Sequence, residues 1–271
     1  MTTSSTWYFK NMKPTPTFQK RTIGDCTLYM GDSIELLAAG VFGKIGAIVS
    51  DPPYGIGYQH GGHGDRRSQI SNLASRTDTI IGDDLPFDPL PWIDAAPCNE
   101  ARKRTTYGGD PLIILWGADH FMQRLPENGT LLAWDKHIGR GCDDSFTDCE
   151  WAWCGRKVKR EVFRWLWKGV CTQKSALDVA TTVSTHRTSG KVFARVHISQ
   201  KPVELMRWCI DKVRPLAGLP ILDPYMGSGT TAIAALSLGH TFIGCEIDPT
   251  HFDVACRRIE AYYQKQGIPI N

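Results

Sequence analysis

Compact apolar runs alternate with amphipathic stretches along this chain. Residues 26–30, 47–50, 111–116, 129–134 and 241–245 are short, apolar and bounded by Gly, Pro, Asp or Ser, as buried strands are. Residues 34–39, 91–104, 202–213, 232–238 and 249–263 predict helices. Asp32 or Ser33 is placed to cap the first of these, and Gly40 to stop it. Gly117-Ala118-Asp119 opens a further helix. Pro202 occupies the first turn of another, whose buried side is Leu205, Met206, Trp208, Cys209 and Ile210. Strand and helix in alternation predict an α/β fold, a mostly parallel twisted sheet with helices on both faces.

Three stretches break the alternation. Residues 1–20 are polar and carry Pro14 and Pro16, which predicts a flexible N-terminal arm. Residues 58–84 are rich in Gly, His, Arg, Ser and Asp. A loop of that length in a compact domain is usually functional, and it reads as a mobile flap offering Arg66 and Arg67 to phosphates. Its His60-Gly61-Gly62-His63 lacks the Cys or carboxylate cluster a metal site needs. Beyond residue 135 the texture changes again. Residues 149–153 and 162–167 predict an antiparallel pair joined by the basic turn Arg156-Lys157-Val158-Lys159-Arg160, close to Trp151, Trp153, Trp165 and Trp167. Interleaved basic and aromatic residues suit nucleic acid; for the tryptophans alone, a solvated turn between core-facing strands is the plainer reading. Residues 169–196 are a polar, weakly patterned insert between a first half, 21–168, and a second half of the same domain, 197–271.

Composition narrows the class without naming it. With 42% hydrophobic and 22% charged residues, 271 residues make an ordinary globular chain of one or two domains. A formal net charge of +3 neither demands nor excludes a nucleic-acid partner. The first residues lack the basic start and apolar core of a signal peptide, and no apolar run is long enough to span a bilayer, so no membrane partner is expected. Nine cysteines without a CxxC pair point to reduced thiols in a cytoplasmic setting. Cys142, Cys149 and Cys154 have no second half of a zinc site, and no metal is expected.

Two blocks carry the chemistry. Ser50-Asp51-Pro52-Pro53-Tyr54-Gly55 leaves the strand at 47–50. Its prolines cannot donate backbone hydrogen bonds, so the loop offers carbonyl oxygens, one carboxylate and one aromatic face. That set suits holding a planar amino group by its N–H bonds while a ring stacks beside it. For Asp51-Pro52-Pro53-Tyr54 in isolation, a Pro-rich turn capping a strand is the plainer reading. The second block, Asp223-Pro224-Tyr225-Met226-Gly227-Ser228-Gly229-Thr230-Thr231, lies between a strand and an Ala-rich helix, and the next strand ends in Glu246. This is a βαβ nucleoside-binding unit, with small residues where a backbone must approach a ligand. The lysine of a phosphate loop and the GxGxxG spacing of a dinucleotide loop are both missing. Asp223 suits a cationic ligand end such as an ammonium.

With Gln200-Lys201-Pro202-Val203-Glu204-Leu205 and Gly244-Cys245-Glu246-Ile247-Asp248-Pro249, these blocks make the chain similar to the S-adenosylmethionine-dependent DNA amino-methyltransferases. Within that N6-adenine/N4-cytosine family it resembles the group whose DPPY motif precedes the cofactor motif. His197-Ile198-Ser199 stands where the family often has His-Pro-Thr, and residues 58–84 and 135–196 fall outside the resemblance. The resemblance implies a Rossmann-like methyltransferase fold with an antiparallel hairpin, and makes 169–196 a target-recognition insert. It implies S-adenosyl-L-methionine as cofactor and double-stranded DNA as partner.

It also distributes roles. Asp223, Met226, Gly227, Ser228, Gly229 and Thr230 would line the donor's methionine part, bordered by Asp51, with Lys201 on its carboxylate, Glu246 on the ribose and Asp32 on the adenine edge. Asp51, Pro52, Pro53 and Tyr54 would form the catalytic loop, holding the acceptor amino group between the Asp51 carboxylate and the Pro52 carbonyl. Tyr54 would stack on a flipped-out base, with Phe163 or Trp165 as a second aromatic wall. Arg66, Arg67, Arg156, Lys157, Lys159 and Arg160 would meet the DNA. Adenine N6 is favoured over cytosine N4 as the acceptor. An RNA or protein amino-methyltransferase and a catalytically idle DNA-binding relative are the rivals. A homodimer and a cognate restriction endonuclease enter only as analogies.

Overall fold

The computed structural model describes residues 16–57, 80–99, 109–137, 147–168, 171–172, 175–180 and 200–270. The strands are β1 (Gln19–Ile23), β2 (Cys26–Met30), β3 (Ala47–Ser50), β4 (Cys98–Asn99), β5 (Asp110–Pro111), β6 (Ile113–Trp116), β7 (Thr130–Asp135), β8 (Cys149–Cys154), β9 (Val162–Arg164), β10 (Trp167–Lys168), β11 (Cys171–Thr172), β12 (Ile221–Asp223) and β13 (Phe242–Glu246). The helices are α1 (Ser33–Ala38), α2 (Leu90–Ala95), α3 (Ala176–Ala180), α4 (Val203–Val213), α5 (Thr230–Ser237) and α6 (Pro249–Gln266). Nine strands form one sheet in the order β1-β2-β13-β12-β3-β6-β8-β7-β9; β4 pairs with β5 and β10 with β11. From β2 to β6 every pairing is parallel, while β1 and β8 run against their neighbours. This is the Rossmann-like sheet the sequence predicts.

The central strands are buried on both faces, which explains their uninterrupted apolar runs. In β3, Ala47 and Val49 join one core cluster and Ile48 the other; in β6, Ile114 and Trp116 oppose Ile113 and Leu115. The first cluster also takes the apolar faces of α4, α5 and α6, and the second takes Leu36 of α1 with Trp92 and Ile93 of α2.

Several expectations need correction. β1 begins at Gln19 and pairs along its length with β2, so residues 19 and 20 belong to the sheet. The helix expected over 91–104 is α2, which ends at Ala95, because Pro97 cannot continue it. The helix expected after Gly117 is two short 3₁₀ turns, Ala118–His120 and Met122–Arg124. β8 and β9 are not a hairpin: β7 lies between them, antiparallel to β8 and parallel to β9. In the large sheet the antiparallel pairs of consecutive strands are β1–β2 and β7–β8. Most of the expected flap and insert lies outside the described residues, Arg66 and Arg67 among them.

Candidate active site

Parallel strands bring their C-terminal ends to one edge of the sheet. The chain leaves β12 toward β13 on one side, and β3 toward β6 on the other. The edge between β12 and β3 is therefore the switch point where such sheets open a crevice. β8 runs backwards, with Glu150 opposite Trp134, so its first residues reach the same edge as the last residues of β7.

On one side of the switch point stands a crest of turns. Asp223 ends β12, and its buried carboxylate accepts from Ser50 Oγ at 2.6 Å, Thr231 Oγ1 at 2.6 Å and the Tyr225 amide at 3.1 Å. Burial pushes its pKa up to about 6 against these bonds. With Ser50 on one oxygen and Thr231 on the other, Asp223 braces the two halves of the edge. Gly227 and Gly229 adopt φ of +50° and +78°, conformations that favour glycine. A Cβ on Gly227 would meet nothing within 4 Å, whereas one on Gly229 would press on Ala255 of α6 at 3.1 Å. The first glycine thus bares backbone toward open space, and the second lets α6 approach. Ser228 and Thr230 turn their hydroxyls inward, each within 3.1 Å of Nη1 of the fully buried Arg258. Sequence reasoning did not single out Arg258, a cation on a buried helix face.

Glu246 ends β13. Its Oε2 accepts the Gly227 amide at 2.9 Å and its Oε1 the Asp248 amide at 2.8 Å, while burial raises its pKa to about 7. Its carbonyl accepts the Gly31 amide, which ties the end of β2 to the crest. Asp32 follows and caps α1, with Oδ1 accepting from the Ile34 and Glu35 amides. Bare backbone at Gly227, a carboxylate at the tip of the next strand and a further acid after β2 fit a nucleoside-bearing ligand.

Across the switch point stands the DPPY loop. Asp51 Oδ1 accepts from Tyr54 Oη at 2.5 Å, and Oδ2 from Lys201 Nζ at 2.6 Å. Asp83 secures the loop from outside: its Oδ1 accepts from the Gly55 amide at 2.7 Å and the Ile56 amide at 3.3 Å. Tyr54 stacks on His120, with ring centroids 4.9 Å apart and planes 19° apart. Gly117 makes room for that ring, since a Cβ there would stand 2.0 Å from Tyr54 Cε1. Burial raises the pKa of Asp51, and Lys201 opposes the rise. Lys201 also stands 3.1 Å from Glu150 Oε2, and Glu150 Oε1 accepts from Lys136 Nζ at 2.8 Å. Of these, Asp83, Gly117, His120, Lys136 and Glu150 carried no signal in the sequence.

Other expected site residues are elsewhere. The basic turn follows the C-terminal end of β8, and because β8 is antiparallel that end lies at the opposite edge of the sheet from Asp51. There Arg156 is buried and donates to the Val213 carbonyl, Lys159 pairs with Glu161, and Lys157 and Arg160 are exposed. Phe163 and Trp165 stack on each other, and Phe163 packs on Trp208 of α4. Four strand positions separate β9 from β3, roughly 19 Å at the usual strand spacing. The aromatic partner Tyr54 has here is His120.

A family model described as DNA methylase, for N6 and N4 transfer, matches residues 121–257, half of the chain. The chain belongs to this family. The methylase is 24% identical over 273 residues to the type II methyltransferase M.Cfr9I of Citrobacter freundii, an alignment spanning 88% of this chain and 89% of that one. Over 117 residues it is 32% identical to the type II methyltransferase M.HindIII of Haemophilus influenzae, covering 40% of this chain and 37% of the other. Among solved structures, a putative DNA modification methylase of Thermus thermophilus complexed with S-adenosyl-L-methionine is 18% identical, with a TM-score of 0.46 over 87% of this chain and 95% of that one. The matched family span includes Glu150, Lys201 and the whole Asp223–Glu246 crest.

Proposed function

We propose that this methylase transfers a methyl group to the N6 amino group of an adenine flipped out of duplex DNA, at a specific site. The observation that carries the reading is the join at the switch point, where the Ser50–Asp223 bond fixes the DPPY loop directly beside the glycine crest. The cofactor is S-adenosylmethionine, which supplies an electrophilic methyl on its sulfonium. On the donor side, the bared Gly227 backbone approaches its methionine part, Glu246 takes the ribose and Asp32 the adenine edge.

An exocyclic amino group is a poor nucleophile, because its lone pair is delocalised into the ring. Asp51 and the Pro52 carbonyl, accepting its two N–H bonds, favour a pyramidal nitrogen aimed across the crevice. The nitrogen–methyl bond forms as the sulfonium–methyl bond breaks, the electron pair leaving on sulfur as the neutral thioether S-adenosylhomocysteine. The nitrogen gives up its surplus proton to solvent. The protein contributes positioning and electrostatics, with no covalent enzyme intermediate. Extruding the base costs about a few kcal/mol, and joining the Tyr54–His120 stack returns roughly 1–3 kcal/mol. The acidic residue at the head of the loop favours adenine over cytosine.

The test incubates the protein with unmodified duplex DNA and methyl-labelled S-adenosylmethionine, digests to nucleosides and identifies the labelled one by mass. N6-methyladenine is the expected product. N4-methylcytosine would keep the mechanism and overturn the base assignment. No label, with cofactor binding intact, would move the acceptor to RNA or protein.

A further inference from the structure

Asp51 is the end of a chain of alternating charges that runs along the acceptor edge. Lys136 follows β7, Glu150 lies near the start of β8, Lys201 precedes α4 and Asp51 follows β3, so four separate segments supply one group each. Lys136 Nζ donates to Glu150 Oε1 at 2.8 Å and Lys201 Nζ to Asp51 Oδ2 at 2.6 Å, while Glu150 Oε2 and Lys201 Nζ form an ion pair at 3.1 Å without hydrogen-bond geometry. Thr147 adds a hydroxyl acceptor to Lys136 at 3.1 Å. The side chains of Lys201 and Lys136 are only 7% and 12% exposed, so these are not solvated surface pairs. Two cations alternate with two anions, and the row is neutral as a whole.

We propose that Glu150 is a positioning residue for methyl transfer: anchored by Lys136, it grips one side of the Lys201 ammonium so that the other side pins the Asp51 carboxylate against the acceptor amino group. The inference rests on the role proposed for Asp51. A Lys201–Asp51 pair would already be neutral without Glu150, so neutrality alone does not require a second carboxylate. What the second carboxylate adds is a fixed direction for the ammonium and a share of its charge. Asp51 therefore keeps more acceptor strength than a carboxylate owning its own lysine.

The electrostatics agree. Although burial opposes it, Lys201 and Lys136 hold Glu150 down to about 2, so it stays ionised at any working pH. Its charge acts on Asp51 in the raising direction, against Lys201. The other groups that act on this pair are Tyr54 within the loop, Asp223 at the end of β12, the buried Cys209 of α4 and, through Tyr54, Asp119 and His120 after β6. With both flanks of its ammonium occupied, Lys201 belongs to the acceptor side, not to the donor's carboxylate.

The experiment compares wild type with E150Q, E150D and K136M as full-length proteins. It reads single-turnover methyl transfer across pH, S-adenosylmethionine affinity by calorimetry, and affinity for duplex DNA. In E150Q the transfer rate is expected to fall about 10–100-fold, with both affinities within threefold of wild type and the acid limb of the rate profile moved to lower pH. E150D should recover part of the loss, and K136M should show a weaker form of the same pattern. Should E150Q fail to fold, K136M carries the test alone. A rate within threefold of wild type in the folded variants would overturn the proposal. So would donor affinity lost in parallel with the rate, which would return Lys201 to the donor. If wild type itself transfers no methyl to DNA, the functional reading fails first, and that outcome is distinct from an active wild type with active variants.

Discussion

The two sides of the crevice are built by different physics. The donor side is a run of tight turns from nearby parts of the sequence, held by backbone and hydroxyl donors around two carboxylates whose burial raises their pKa, Asp223 and Glu246, and by the buried guanidinium of Arg258 beneath the turn. The acceptor side is a short rigid loop whose one carboxylate is held by a lysine, and the lysine in turn by a second carboxylate and a second lysine. On the proposed reading, backbone shape recognises the donor and a directed charge orients the acceptor. The Ser50–Asp223 bond is where the two constructions meet, 173 residues apart in sequence.

This division predicts that damage on one side leaves the other side's equilibrium intact. The largest effect is expected from Asp51→Ala: transfer should fall by about 10³-fold or more, while donor affinity by equilibrium titration stays within a few-fold. Equal loss of both would mean the two sides are one site energetically. Gly117→Ala comes next. Its Cβ would collide with the Tyr54 ring at 2.0 Å, and displacing that ring by about 1 Å should cost on the order of 10²-fold in rate. Donor affinity should again be preserved.

The reciprocal test is Arg258→Met, which strips a buried cation from beneath Ser228 and Thr230. We expect donor affinity to weaken about tenfold and stability to drop by about 3 kcal/mol in urea titrations, on the scale of lost hydrogen bonds to a charged group. A variant that lost rate alone would contradict the division.

The smallest effect is thermal stability against pH. Asp223 and Glu246 titrate near 6 and 7 in the fold, above their unfolded values near 4. Their contribution is fully present below pH ~4 and disappears as pH rises through 6 and 7. Glu150, held at about 2, works in the opposite sense, contributing above pH ~4.5 and losing that contribution as pH falls toward 2. The unliganded melting temperature should therefore rise by a few degrees from pH 8 to 5 and fall below pH 4. Glu246→Gln should flatten the upper part of that curve; an unchanged curve would remove Glu246 from this account.

The contrast also explains what could be read in the sequence. The donor crest is contiguous, so its Gly-rich turn, flanking strands and terminal Glu246 were visible as one pattern. Hidden were Ser50, which reaches Asp223 from a distant strand, and Arg258, which reaches Ser228 and Thr230 from a buried helix face. On the acceptor side Asp51 and Tyr54 stood out, since two prolines and an aromatic after a buried strand are unusual. Glu150 and Lys136 did not, because a single acid within one strand and a single lysine just after another look solvated until strand pairing sets them side by side. The misplacement of the basic turn has one cause. Tryptophans and lysines in sequence do not reveal which way a strand runs, and the reversed direction of β8 sends that turn to the far edge of the sheet. Pro97 was the readable sign that the helix after residue 90 is short.

With Asp51 as the proposed acceptor group, the hydroxyl of Tyr54, resting on it at 2.5 Å, would make base selection a matter of exchange. The resting enzyme leaves no hungry carboxylate for water or a stray cation to occupy. A base that brings an N–H replaces one donor with another at little net change. A thymine, offering a carbonyl at the same edge, would set oxygen against oxygen and give nothing back for the hydroxyl it displaced. On the proposed reading the tyrosine would work as a reference ligand against which every incoming base is weighed, with discrimination beginning before any methyl group is in play.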